Sequence, residues 1–212
     1  MAATVTATQM KPAAFSNIKE LDVNQNAEVF KKITESSNHK MMKDKILQGK
    51  YVLEKEHLIE TLDPNDNKPI EVVTLPFVQD NKPGMIVTAT KDGQSVTEAF
   101  QGLSSDGKTI EIETSAVIDN KIVSKTSKYQ IDNHKKLADL FIKPAYADAH
   151  SFCVDFCNFM CGAGFGTVAC TVACDAFSGG TGVILCPAIC YSLTWSACNY
   201  GCPWYCTNVI GY

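Results

Sequence analysis

All ten cysteines of the chain lie between Cys153 and Cys206, and the gaps between them run 4, 4, 9, 4, 12, 4, 8, 4 and 4, nearly the same in either direction. A gap of four returns a side chain to almost the same face of an α-helix, about 6 Å further along its axis. Two such arms lying antiparallel oppose cysteine to cysteine. Folding the segment at Ser178-Gly179-Gly180-Thr181-Gly182 sets Cys153 opposite Cys206, Cys157 opposite Cys202, Cys161 opposite Cys198, Cys170 opposite Cys190 and Cys174 opposite Cys186. A rival scheme closes the first arm on itself across Gly162 to Gly166, with Cys161 on Cys170 and Cys157 on Cys174. Its counterpart in the second arm, Cys190 on Cys198, needs a local turn, and no turn residue separates the two. Steps of four also drift about 40° each around a helix, so five rungs cannot join two straight rods. Breaks at Gly162 to Gly166, Pro187 and Pro203 must re-aim the arms. The connectivity is therefore open at this point. Full pairing of the ten cysteines is expected, and with it an oxidising, extracellular setting.

The remaining composition splits the chain in two. All nineteen basic residues are lysines, there is no arginine, and the last lysine is Lys143; beyond it the only acids are Asp148, Asp155 and Asp175. Neither part carries the basic surplus that neutralises phosphates, so no nucleic-acid partner is expected. Met1 to Asn17 contains no seven-residue apolar core, so an ordinary signal peptide is not expected and secretion would use an export transporter or an atypical leader.

The expected fold class is α+β. Residues 1–25 read as a flexible leader. Residues 26–143 read as a pro-domain or immunity-like domain: one or two short amphipathic helices between Ala27 and Gln48, then an antiparallel β meander. Its strands are expected at Tyr51 to Leu62, Ile70 to Val78, Met85 to Thr90, Ser95 to Gln101, Thr109 to Ile118 and Ile122 to Ile131. The turns between them are marked by Asp63 to Asn67, Asn81 to Gly84, Lys91 to Gly93, Ser105 to Gly107 and Asp119-Asn120. Alternation such as Ile110-Glu111-Ile112-Glu113 leaves one sheet face wet, with helices on the other. Leu137 to Ile142 adds a helical turn or a strand end. Residues 144–150 form a linker whose small-x-small pattern, Ala145, Ala147, Asp148 and Ala149, reads as a site for a processing protease. Residues 151–212 form a small all-α, disulfide-stapled helical hairpin.

No C-x-x-C knuckle occurs, so no metal site is expected at the cysteines. His39, His57, His134 and His150 lie in charged or linker surroundings and read as solvated, which leaves a cysteine nucleophile without a base. No enzyme activity, catalytic residue or cofactor is expected. The hairpin carries more aromatic surface than a thin two-helix core can bury. Phe152, Phe156, Phe159, Trp195, Trp204 and Tyr205 are therefore candidates for contact with a target-cell membrane. The competing reading packs them on the β-region as ordinary core.

A lysine-rich amino-terminal part, the Ala145-Tyr146-Ala147-Asp148-Ala149 junction and a glycine-turned helical peptide with ten cysteines in C-x-x-x-C pairs resemble halocin-type bacteriocin precursors. The chain contains no arginine, so the twin-arginine leader typical of that family is not expected here. The resemblance implies an antimicrobial toxin peptide fused to a partner domain that masks it or protects the producer. The alternative is a secreted, self-associating adhesive or structural protein.

Overall fold

The computed structural model describes residues 18–130, 147–161, 170 and 185–210. In chain order these form β1 (Lys19–Leu21), α1 (Ala27–Thr34), α2 (Ser37–Ile46), β2 (Tyr51–Leu53), β3 (His57–Leu62), β4 (Pro69–Gln79), β5 (Lys82–Lys91), β6 (Gln94–Ser105), β7 (Thr109–Ile118), β8 (Lys121–Gln130), α3 (Ala147–Cys161), α4 (Leu185–Ser196), a π-helical turn (Ala197–Gly201) and α5 (Cys202–Ile210). The strands make one antiparallel sheet in the order β1-β3-β4-β5-β6-β7-β8, and β2 pairs with β4 beside β3.

Three hairpins of the meander close through two residues that both take positive φ: Asp80-Asn81 (51°, 62°), Asp92-Gly93 (49°, 82°) and Asp119-Asn120 (48°, 58°). Such paired left-handed residues twist with the strands they join, and Asp, Asn and Gly tolerate them best. The turn expected at Asn81 to Gly84 is therefore displaced to Asp80-Asn81. Lys82, Pro83 and Gly84 belong to β5, paired with Gln79, Val78 and Phe77. The single strand expected over Tyr51 to Leu62 is two, β2 and β3, both pairing with β4. The expected leader also gives up its end to the fold, because β1 adds to β3 through Lys19↔Glu60, Glu20↔Ile59 and Leu21↔Leu58.

Both faces of the sheet are covered, which corrects the expectation of one wet face. On one face α1 and α2 bury Ile33, Met42 and Ile46 against Leu58, Val73, Leu75, Phe77, Ile86 and Ala99. The alternate residues of the same strands point the other way: Ile59, Ile70, Val72, Met85, Val87, Ala89, Phe100, Ile110 and Ile112. They share one continuous core with Cys153, Phe156, Phe159, Met160, Leu185, Ile189, Leu193 and Tyr205 of the cysteine-rich helices. The protein is thus a three-layer sandwich, helices on sheet on helices. The mixed α+β class stands, but the cysteine-rich helices do not form a core of their own.

The layer of α1 and α2 is pinned by charge. His39 is fully buried, its Nδ1 2.9 Å from Thr88 Oγ1, which in turn meets Thr97 Oγ1 at 3.0 Å. His39 Nε2 lies 3.4 Å from Glu56, and Lys43 donates to the same carboxylate at 2.7 Å. The hydrogen bond from His39, opposed by burial and helped by Lys43, holds the Glu56 carboxyl down at about 2, against an ordinary 4.5. A depressed carboxyl contributes stability that is fully present above the ordinary value and is lost as pH falls through the depressed one. A loss of about 3 kcal/mol between roughly pH 4.5 and pH 2 is therefore expected, and Glu56→Gln abolishes it. Acid-unfolding curves of the two proteins that stay parallel throughout would contradict it.

Candidate functional site

The cysteine-rich layer is the chemically distinctive part of the molecule. Disulfides join Cys153 to Cys206, Cys157 to Cys202, Cys161 to Cys198 and Cys170 to Cys190, with Cα atoms 5.8, 5.5, 5.4 and 5.7 Å apart. These are four of the five rungs of the nested scheme. The rival pairings of Cys161 with Cys170 and of Cys190 with Cys198 are absent. Cys186 is also disulfide-bonded, while Cys174 lies outside the described residues.

Three consecutive rungs join α3 to the second arm, which meets the drift problem through its backbone. Between Cys190 and Cys202 the helix passes through the π turn Ala197–Gly201. A π turn closes i→i+5 bonds and takes more residues per turn than an α-helix, so a step of four falls short of a full circle instead of overshooting it. The step from Cys198 to Cys202 thereby offsets the drift of the next step, from Cys202 to Cys206, and all three sulfurs face α3. Pro203, which lacks a donor N–H, follows directly on the π turn.

The seam between this layer and the sheet joins apolar packing to a few polar anchors. Phe156 is fully buried, edge-on to Tyr205 at 5.4 Å between ring centres, and Phe159 packs on Tyr129 of β8 at 5.1 Å. Gly102 of β6 is the reason Phe156 fits, since a Cβ there would stand 2.7 Å from its ring. Tyr205 is fully buried and donates its hydroxyl to the Gly84 carbonyl at 2.5 Å; burial pushes that phenol well up. Thr74 of β4 donates to Ser196 at 3.2 Å, and Ser105 of β6 donates to Asp155 of α3 at 2.6 Å.

The π turn is tied to the opposite end of the chain. Tyr200 stacks on His57 with ring centres 3.8 Å apart and donates to Glu20 of β1 at 2.6 Å, while His57 Nδ1 lies 3.1 Å from the same carboxylate. Burial works against the Glu20 charge, but the hydrogen bonds from Tyr200 and His57 and the nearby charges of His57 and Lys55 leave its carboxyl below the ordinary range. Burial and the Glu20 carboxylate push the Tyr200 phenol up, and burial raises Glu54 on the other side of His57.

Several expectations change on this geometry. Of the six residues marked for membrane contact, Phe156, Phe159 and Tyr205 are core, because the sheet face they pack on is itself apolar. Phe152, Trp195 and Trp204 are half-buried against the same cluster. His39 and His57 are buried rather than solvated, at 0 % and 2 % exposure; His134 lies outside the described residues. Ala147, Asp148 and Ala149 of the expected processing site begin α3, and Ala145 lies outside the described residues, as does Leu137 to Ile142. The Sγ atoms of Cys153, Cys157 and Cys206 lie within 4.8 Å of one another, but all three are held in disulfides. The seam is the competing reading of the sequence, and a signal that favours it is Ile70 to Val78, apolar at nearly every position, the mark of a strand buried on both faces.

Comparison with protein-family models, with curated proteins and with solved structures finds no significant match for this chain.

Proposed function

We propose that the protein is a secreted antimicrobial precursor of the halocin-like kind, in which the β-sheet layer masks the apolar face of a disulfide-stapled helical peptide that acts on target-cell membranes. The observation that carries this reading is the shared core: Phe156, Phe159, Met160, Ile189, Leu193 and Tyr205 of the cysteine-rich helices lie against the sheet. Separated from it, they would form an exposed apolar patch on a peptide whose shape the disulfides preserve, which is the combination that partitions into a lipid interface. In the intact chain that face is covered, so the sheet acts as pro-domain and keeps the producer safe.

Compartment and shape are compatible with this role. Four disulfides fit an oxidising, extracellular setting, and none of the described helices is long and apolar enough to cross a membrane. The peptide would therefore act at the interface. Release needs a cut at the start of α3, and the small-residue sequence around Ala145 and Ala147 offers a processing protease its recognition pattern. The alternative of a self-associating adhesive protein loses its motive where the aromatic residues are core.

Intact-mass measurement of the protein recovered from the producer's medium, with and without reduction, tests the proposal. A fragment starting near Asp148 that gains ten hydrogens on reduction is expected. Recovery of nothing but the uncut chain would contradict processing, and free thiols in the native protein would contradict the compartment.

A further inference from the structure

The three rungs between α3 and the second arm differ in accessibility and stand close enough to react with each other. Cys198 is exposed, Cys161 and Cys202 are half-buried, and Cys157 and Cys153 are buried. Cys161 Sγ lies 3.7 Å from Cys202 Sγ, an atom of the next disulfide. Cys157 Sγ, the other atom of that disulfide, lies within 4.8 Å of both sulfurs of Cys153–Cys206. A thiolate attacks a disulfide sulfur directly, and the rate depends on thiolate fraction and access. We propose that Cys198 is a reactive site for small external thiols, and that reduction begun there moves inward along the ladder by intramolecular exchange.

An external thiolate attacks Cys198 Sγ; a mixed disulfide forms, the Cys161–Cys198 bond breaks, and the electron pair leaves on Cys161. The Cys161 thiolate attacks Cys202; Cys161–Cys202 forms, Cys157–Cys202 breaks, and the pair leaves on Cys157. The Cys157 thiolate attacks Cys206; Cys157–Cys206 forms, Cys153–Cys206 breaks, and the pair leaves on the buried Cys153. A second external thiol resolves the mixed disulfide at Cys198, leaving as the oxidised dimer of the reductant, so two thiols reduce one bond. The every-fourth spacing makes the result a ladder shifted by one rung. Two bridges still join α3 to the second arm after the first has been spent. The device is independent of the antimicrobial role.

The test uses the full chain. One equivalent of a water-soluble phosphine is added at about pH 4, where thiols stay protonated and exchange is suppressed, and half the sample is alkylated at once in acid. The other half is brought to about pH 8, held for minutes, returned to acid and alkylated. Peptide mapping is expected to find label on Cys161 and Cys198 in the first half. In the second, Cys198 stays labelled and the Cys161 label is lost to Cys157 or Cys153, at a rate independent of protein concentration. The Cys157→Ala/Cys202→Ala variant, which lacks the middle rung, is expected to keep its label on Cys161. A first bond reduced elsewhere would overturn the proposal. So would a label that never leaves Cys161, a migration rate that rises with protein concentration, or migration that persists without the middle rung.

Discussion

Phe156→Ala is expected to lower the stability of the whole chain by about 3–5 kcal/mol, the usual cost of emptying a fully buried phenylalanine site. Its ring fills the space left by Gly102 and meets Tyr205 edge-on, so the vacated volume borders the sheet, α3 and α5 at once. Because the core is continuous, sheet and cysteine-rich helices should unfold together, and the variant should move both signals by the same amount. Thermal unfolding can separate them: both tryptophans, Trp195 and Trp204, report on the second arm, while the infrared amide I band of the strands reports on the sheet. Coincident curves, displaced together in Phe156→Ala, are the expected result. A sheet transition that does not move when the tryptophan transition does would mean that the cysteine-rich layer folds as a separate domain.

The second large effect concerns the ladder. Taken alone, a bridge between Cys153 and Cys206 closes a loop of 53 residues, worth about 4 kcal/mol in the chain-entropy treatment. It is not alone, because Cys157–Cys202 already closes the inner 45-residue separation. The outer bridge then constrains only the few residues between rungs, and Cys153→Ala/Cys206→Ala is expected to cost about 2–3 kcal/mol. Alanine is the apt replacement, since a serine hydroxyl at the fully buried Cys153 position would add a desolvation cost of its own. Removing the Cys153, Cys157 and Cys161 bridges together should cost more than the sum of the three single losses, because each single loss leaves neighbouring rungs to hold the same segment. Unfolding measured without reductant on the singles and the triple checks this; strict additivity would contradict the nested connectivity.

These effects also show which parts of the molecule could be read from its sequence. The ladder was legible because four-residue spacing on a helix is a geometric constraint, and two arms with mirrored gaps have few ways to pair. The π turn that makes three rungs compatible was not legible, since Ala197 to Gly201 carries no residue that demands it. The strands of the meander were legible from their turns, and Asp92-Gly93 and Asp119-Asn120 sit where their positive φ requires. β1 escaped notice because three residues, Lys19 to Leu21, hold no periodicity, and its place is fixed by β3 and by Tyr200 from the far end of the chain.

The position of the aromatic residues shows the limit most clearly. Phe156 and Tyr205 on a short stapled hairpin fit a membrane surface and a protein core equally well. The deciding fact lies on the sheet, where Val72, Val87, Phe100 and Ile112 present a second apolar face to them. The same holds for His57: beside Glu54 and Glu56 it looks solvated, yet it is buried, with the ring of Tyr200 stacked over it and Glu20 of β1 at its Nδ1. Local sequence marked the strands of the meander and the cysteine ladder, and the long-range meeting of two apolar faces decided how they pack.

The central claim is that the sheet masks a membrane-active face, and it is tested most directly by dye release from anionic lipid vesicles, measured on the same protein before and after a single cut. A protease site introduced between residues 131 and 146 allows the cut without touching any disulfide. The account predicts little leakage from the intact chain, and at least tenfold more once the cut chain is separated into sheet and stapled peptide, with the activity in the peptide fraction. Equal leakage before and after, or no leakage from either fraction, would contradict it.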